Sequence, residues 1–100
     1  MKILALEREV PDTSASALRS LLKAEAAKVW ELYKQGVVRE LYFNAEKHTA
    51  VLVLECDDLQ SASFLLDQLP LVQARLIDFE LVPLAPYDGF ERLFGVAGSE

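Results

Sequence analysis

Glu25 is a carboxylate within a segment whose apolar residues otherwise share one face of a predicted helix. On a helical wheel it falls within about 60° of the stripe formed by Leu18, Leu21, Leu22, Val29 and Leu32. A carboxylate on the sheet-facing side of a helix loses solvation, which raises its pKa toward the range in which general acid–base catalysis is efficient. We interpret Glu25 as a proton-transfer group or ligand contact; the alternative is an ion pair with a buried arginine, or a stripe edge that reaches water.

Arg39 and His48 complete the set of candidate catalytic residues. Arg39 shares a predicted strand face with Leu41 and Phe43, which makes it the natural charged partner for Glu25. His48 is the only histidine and begins the predicted third strand. Its ordinary pKa suits proton transfer, and a partly exposed residue at a strand end is the alternative interpretation. The candidate ligand-binding residues are Leu22, Val29, Tyr33 and Tyr42.

The sequence contains none of the common cofactor or metal motifs. It has no nucleophile elbow, phosphate loop, zinc-ligand spacing or dinucleotide fingerprint. Its single cysteine, Cys56, has neither a second thiol nor a histidine cluster with which to bind a metal. We therefore predict chemistry that needs no cofactor and no metal.

Charge and hydropathy exclude several classes of partner. The chain of 100 residues has a formal net charge of -6, and its ten basic residues are scattered. Nucleic acids and anionic membranes are bound by clustered lysines and arginines, so neither is an expected partner. No apolar run approaches the roughly 18 to 20 residues of a membrane span, and the first residues lack the pattern of a signal peptide. We expect a cytoplasmic protein.

The elements that must position these residues follow one another as strand, helix, strand, strand, helix, strand. They are predicted over residues 2–8, 15–35, 37–43, 48–56, 57 or 58 to 69, and 75–84. Right-handed crossovers in this order place both helices on one face of a four-stranded antiparallel sheet. The predicted fold class is therefore α+β, a ferredoxin-like βαββαβ domain over residues 1–86.

The second face of this sheet has no helix to cover it. The run VLVL in the third strand supplies apolar side chains to both faces, and 52% of the chain is apolar. Large exposed apolar patches are uncommon in monomers, so we expect a second copy of the chain to cover this face. The tail over residues 87–100 carries Tyr87, Phe90, Leu93 and Phe94, and we expect it to form a short helical turn that docks on another surface.

Three segments resemble the muconolactone isomerase family. They are LKAEAAKVWELYKQG over 22–36, VVRELYF over 37–43 and LDQLPL over 66–71. The best-matching short elements are Arg39, the pair Leu41-Tyr42 and the run Leu69-Pro70-Leu71, and the similar spacing covers roughly residues 22–84. The resemblance implies ferredoxin-like subunits whose sheets pack in dimers as an α+β barrel, with further assembly into a homo-oligomer.

The resemblance also implies an activity, the cofactor-free proton transfer that shifts a ring double bond. Glu25 follows Leu22-Lys23-Ala24, which matches the family's acidic position, so it would shuttle the proton. Arg39 would balance charge on an enolate-like intermediate or bind a substrate carboxylate. The leading hypothesis is a small-molecule enzyme that acts on a lactone or related carbonyl compound. The alternatives are a non-catalytic ligand-binding or assembly protein on the same scaffold, and a cofactor-free monooxygenase of the dimeric α+β barrel type.

Overall fold

The computed structural model describes residues 1–95 and consists of four strands and three α-helices, followed by a 3₁₀ helix. In chain order these are β1 (Lys2–Glu9), α1 (Ala15–Lys34), β2 (Val38–Phe43), β3 (Ala50–Glu55), α2 (Leu59–Leu66), α3 (Pro70–Gln73), β4 (Ile77–Leu84) and the 3₁₀ helix Gly89–Phe94. The strands form one antiparallel sheet in the order β2-β3-β1-β4. This confirms the ferredoxin-like α+β prediction.

The first helix begins at the predicted residue and ends one residue before the predicted end. Ser14 is its N-cap, and the Oγ of Ser14 accepts the backbone N–H of Ala17 at 3.2 Å. The helix ends at Lys34, and Gly36 follows with a φ of 80°, a left-handed conformation that glycine adopts without steric cost. Glu25 therefore lies near the middle of a helix of 20 residues.

The second predicted helix is divided into two, and the expectation that it continues to residue 69 was wrong. Asp58 caps its start, accepting the backbone N–H of Ser61 at 2.7 Å, but α2 ends at Leu66. Leu69 adopts an extended conformation because it precedes a proline. Pro70 then begins the short helix α3, since its fixed φ and missing N–H suit the first helical position.

Alternating residues give the sheet two different faces. On the helix-covered face, the core includes Ile3, Ala5, Leu32, Val38, Leu52, Leu54, Ala62, Leu66 and Leu69, all buried. Strand register places a second apolar set on the opposite side, which we call the open face: Leu4, Leu6, Val51, Val53, Val82 and Leu84. These side chains stay partly or largely exposed in the single chain. Burial of the first face stabilises the domain, while the open face lacks a helix.

The aromatic segment after β4 contributes little to this core. Tyr87, Phe90, Leu93 and Phe94 are between 65% and 79% exposed. Tyr87 and Phe90 pack edge to face on each other, with ring centroids 5.0 Å apart. The predicted short helical turn is confirmed as the 3₁₀ helix, whereas residues 96–100 of the predicted tail lie outside the described residues.

Leu54→Ala tests the position of the core. Leu54 is fully buried, so we expect its truncation to lower the free energy of unfolding by about 2–5 kcal/mol through lost contacts and a residual cavity. Urea denaturation measures the change. Phe64→Ala on α2 is the control, because Phe64 is 67% exposed and its truncation is expected to cost less than about 1 kcal/mol. Equal losses for the two variants would contradict the assigned core.

Candidate active site

A cleft of about 1380 Å³ lies between α1 and the helix-facing side of the sheet. Its lining is mainly apolar and comes from α1, from the sheet and from the segment around α3. The apolar lining includes Leu18, Leu22, Ala26, Val29, Trp30, Leu41, Phe43, Ala50, Leu52, Leu69, Leu71, Leu76, Ile77 and Phe79. A concave, largely apolar surface with a few polar groups is the usual form of a small-molecule site.

Several large side chains of this lining are exposed rather than packed. Leu22 is 47% exposed, Trp30 57% and Phe43 61%. Trp30 and Tyr33 stack on each other at the rim, with ring centroids 5.7 Å apart. Exposed apolar side chains that face a common cleft are typical of a surface that a ligand or another chain covers.

Glu25 projects from α1 into this cleft and is held there by the backbone of α3. Its Oε1 accepts the backbone N–H of Leu71 at 2.9 Å. Leu71 is the second residue of α3, and an N–H in the first turn of a helix has no partner within that helix. The carboxylate of Glu25 therefore satisfies a donor that the division of the second helix creates.

The environment of Glu25 raises its pKa above the ordinary value for a glutamate. The largest cause is desolvation, because the side chain is half-buried against apolar groups. The hydrogen bond from Leu71 lowers the pKa in part, and the nearby charge of Glu7 raises it again. The net effect is a raised pKa, which makes the Glu25 carboxylate a stronger base, as its position in the apolar stripe predicts.

Glu7 is a second carboxylate of the cleft that the sequence analysis missed. The β1–β3 pairing ends at Leu6 and Val51, so the next backbone N–H, that of Ala50, donates to Oε1 of Glu7 at 2.8 Å. The sequence pattern of β1 could have revealed Glu7. Alternate residues of a strand share a face, so Glu7 lies on the same face as Ile3 and Ala5 and points toward the helices.

His48 lines the cleft from the β2–β3 loop, and the prediction that it begins the third strand was wrong. A turn that starts at Asn44, whose side chain accepts the N–H groups of Glu46 and Lys47, extends the loop. His48 has a φ of 56°, outside the strand region. Its ring stacks on Phe43, with centroids 4.1 Å apart and planes at 17°.

Arg39 is placed away from Glu25, contrary to the predicted pairing. A register irregularity between Val38 and Glu40 breaks the strict alternation on which that pairing relied. The Nε–H of Arg39 donates to the carbonyl of Gly36. The pKa of Glu55 is lowered first by its hydrogen bond with the amino terminus and further by the charge of Arg39.

The four candidate ligand-binding residues differ in orientation. Leu22, Val29 and Tyr33 line the cleft from α1. Tyr42 borders the cleft, but it pairs with Val51 of the open face, and its hydroxyl donates to Oε1 of Glu40 at 2.8 Å. This hydrogen bond raises the pKa of Tyr42.

The candidate site is the cleft with Glu7, Glu25 and His48. Residues 1–95 contain no group of three or more histidine, cysteine or acidic side chains that could hold a metal ion. No helix in this range has the length and apolar character needed to span a bilayer.

Comparison with known proteins identifies the family. The family model of muconolactone delta-isomerase matches residues 5–89, a range that contains every residue of the cleft lining. The chain belongs to the muconolactone delta-isomerase family. A comparison with curated proteins finds no match.

Solved structures support the fold of this muconolactone delta-isomerase family member. A crystal structure of muconolactone isomerase superposes with a TM-score of 0.73 at 21% identity, covering 88% of this chain and 92% of the other. The 5-chloro-2-hydroxyhydroquinone dehydrochlorinase of Burkholderia phenoliruptrix AC1100, in complex with 2,5-dihydroxybenzoquinone, superposes with a TM-score of 0.60 at 13% identity, covering 87% and 96%. At identities this low, the two superpositions show a shared fold and nothing further.

Glu25→Gln tests the environment of the carboxylate through stability. A carboxyl whose pKa is raised on folding contributes stability below its unfolded pKa and loses it as the pH rises through the folded value. Glutamine keeps an acceptor for Leu71 and cannot ionise. From about pH 4 to about pH 8, we expect the melting temperature of the wild type to fall by about 2–5 °C relative to the variant, a small change because the side chain is half exposed.

Thermal denaturation monitored by circular dichroism at several pH values gives this difference. Glu31→Gln serves as the matched control on an exposed position of the same helix. A difference between wild type and Glu25→Gln that does not change with pH would contradict the raised pKa.

Proposed function

We propose that this chain is a muconolactone isomerase-like enzyme that transfers a proton on a lactone or related carbonyl compound without a cofactor. One observation carries the proposal: a half-buried carboxylate of raised pKa, Glu25, faces an open apolar cleft within the family-matched range. A carboxylate in such a place is a suitable base for a proton next to a carbonyl group.

The proposed reaction moves one proton and one double bond. When the ring double bond lies next to the carbonyl, as in muconolactone, Glu25 takes the proton from the carbon beside the ring oxygen; when it lies one bond further away, as in an enol lactone, Glu25 takes the proton from the carbon next to the carbonyl. The electrons of the broken C–H bond form a dienolate. The same carboxyl group then protonates the dienolate at the other end of the three-carbon system, so the double bond shifts and the enzyme regains its starting state. The hydrogen bond from Leu71 holds Oε1 of Glu25, which leaves Oε2 for the transfer.

Other residues of the cleft have supporting roles in this scheme. Leu22, Val29 and Tyr33 supply an apolar wall that limits water around the ring and strengthens electrostatic interactions. His48 lies on the opposite rim, where its imidazole can donate a hydrogen bond to the substrate. The proposal assigns no step to Arg39, because its side chain contacts Gly36 outside the cleft.

Substitution of Glu25 separates this enzyme from a non-catalytic binding protein on the same scaffold. With muconolactone and the neutral enol lactone α-angelica lactone as probes, we expect Glu25→Gln to lower kcat by about 10²–10⁴-fold, the usual contribution of general acid–base catalysis. Ultraviolet absorbance follows the double-bond shift, and proton exchange in D₂O follows the transfer itself.

Glu31→Gln controls this assay, because Glu31 lies on the same helix and is not among the residues of the cleft lining. Its turnover should equal that of the wild type. Turnover of neither lactone by the wild type, or full turnover by Glu25→Gln, would contradict the proposal.

We also propose that the chain functions as a homodimer or larger homo-oligomer. The open face presents six apolar side chains that no helix of residues 1–95 covers, and the aromatic residues Tyr87, Phe90 and Phe94 that follow β4 are largely exposed. A second copy suits this face, because cations and carboxylates both occur around it: Lys2 lies opposite Glu55, and Arg8 lies opposite Asp78.

Val53→Glu tests the assembly. Val53 lies near the centre of the open face, so a buried carboxylate there should shift the species from dimer or larger toward monomer, while the fold persists. Sedimentation velocity measures the size, and circular dichroism checks the fold. Phe64→Glu, at an exposed position of α2, should leave the size unchanged. A wild-type protein that is monomeric at micromolar concentration would contradict the proposal.

A further inference from the structure

The charged groups that line the cleft are mainly acidic. Four carboxylates, those of Glu7, Glu9, Asp12 and Glu25, face it against a single lysine, Lys47. Glu9 and Asp12 are exposed at the rim, as is Lys47, whereas Glu7 and Glu25 are the partly buried ones. The interior of the cleft therefore presents negative charge to an incoming ligand, and an anionic ligand would meet repulsion there.

The two partly buried carboxylates already use backbone donors of the cleft. The backbone N–H of Ala50 is used by Oε1 of Glu7, and that of Leu71 by Oε1 of Glu25. These two backbone donors are thus occupied by the protein itself and do not bind a substrate oxyanion. Within residues 1–95, each carboxylate keeps its Oε2 without a protein donor. These oxygens accept hydrogen bonds and cannot donate them when ionised.

We propose that Glu7, together with Glu25, makes this cleft selective for a neutral ring compound that carries hydroxyl groups, over a ligand that carries a carboxylate. A ring hydroxyl donates to Oε2 of Glu7, and the ring packs on the apolar wall, which leaves Oε2 of Glu25 for the proton transfer. This inference rests on the proposed function and names its substrate class, a neutral hydroxylated carbonyl compound or its enol. Glu7 is the specificity-determining residue, and Glu25 remains the group that moves the proton.

Ligand binding tests this without turnover. The probes are hydroquinone, its dimethyl ether, which has the same ring and no donors, and benzoate, which has the anionic charge. Trp30 is the single tryptophan and lines the cleft, so its indole N–H signal in a ¹⁵N-correlated NMR spectrum reports occupancy. For the wild type, we expect hydroquinone to bind at least tenfold more tightly than the ether, and benzoate to bind more weakly than hydroquinone.

Glu7→Gln identifies the residue responsible. Glutamine retains an oxygen for the Ala50 N–H while removing the charge, so the fold should persist, which the same spectra check. We expect the variant to lose most of the preference for hydroquinone over the ether and to bind benzoate about tenfold more tightly than the wild type does. Glu31→Gln, outside the cleft, should match the wild type with all three probes.

Three results would overturn the inference: tighter binding of benzoate than of hydroquinone by the wild type, equal binding by wild type and Glu7→Gln, or no shift of the Trp30 signal with any probe. Other results distinguish failure of the isomerase proposal from failure of this inference. If the wild type turns over neither lactone but still prefers hydroquinone to its dimethyl ether, only the proposed function is contradicted. If the wild type turns over the anion muconolactone faster than α-angelica lactone and also binds benzoate tightly, only this inference is contradicted.

Discussion

A single hydrogen bond, from the backbone N–H of Leu71 to Oε1 of Glu25, joins α1 to α3 beside the cleft. It depends on Pro70, which ends the preceding extended segment and begins a new helical turn whose first N–H groups lack helical partners. The carboxylate that satisfies this donor is held in one orientation at the apolar wall. The position of Glu25, and with it the chemistry of the cleft, follows from this contact.

Three features of the cleft act in opposite directions on the pKa of that carboxylate. Burial against apolar side chains and the charge of Glu7 disfavour ionisation, while the Leu71 hydrogen bond favours it. Because desolvation is the largest of the three, the net effect raises the pKa and makes a better base. The hydrogen bond thus orients Glu25 without removing its basicity, a combination that a proton-transfer site requires.

The alternation of side chains along the strands is a second constraint, because it gives the sheet two apolar faces. Strands β1 and β3 direct Ile3, Ala5, Leu52 and Leu54 to the helices, and their neighbours in sequence to the open face. The helices α1 and α2 pack on the same side of the sheet, so the chain covers one face well and leaves the other partly exposed. The architecture that builds the cleft therefore also leaves a surface suited to assembly.

Local patterns in the sequence were sufficient to predict the order of the four strands and the two main helices, the sheet's two apolar faces and the place of Glu25 in the helical stripe, because periodicity acts over a few residues. The partners of Glu25 required the tertiary structure. Leu71 lies 46 residues away, Glu7 meets the cleft only through the end of the β1–β3 pairing, and a register irregularity in β2 separates Arg39 from Glu25. Such contacts depend on strand register and on where a helix is interrupted, and neither is encoded in the spacing of the residues involved.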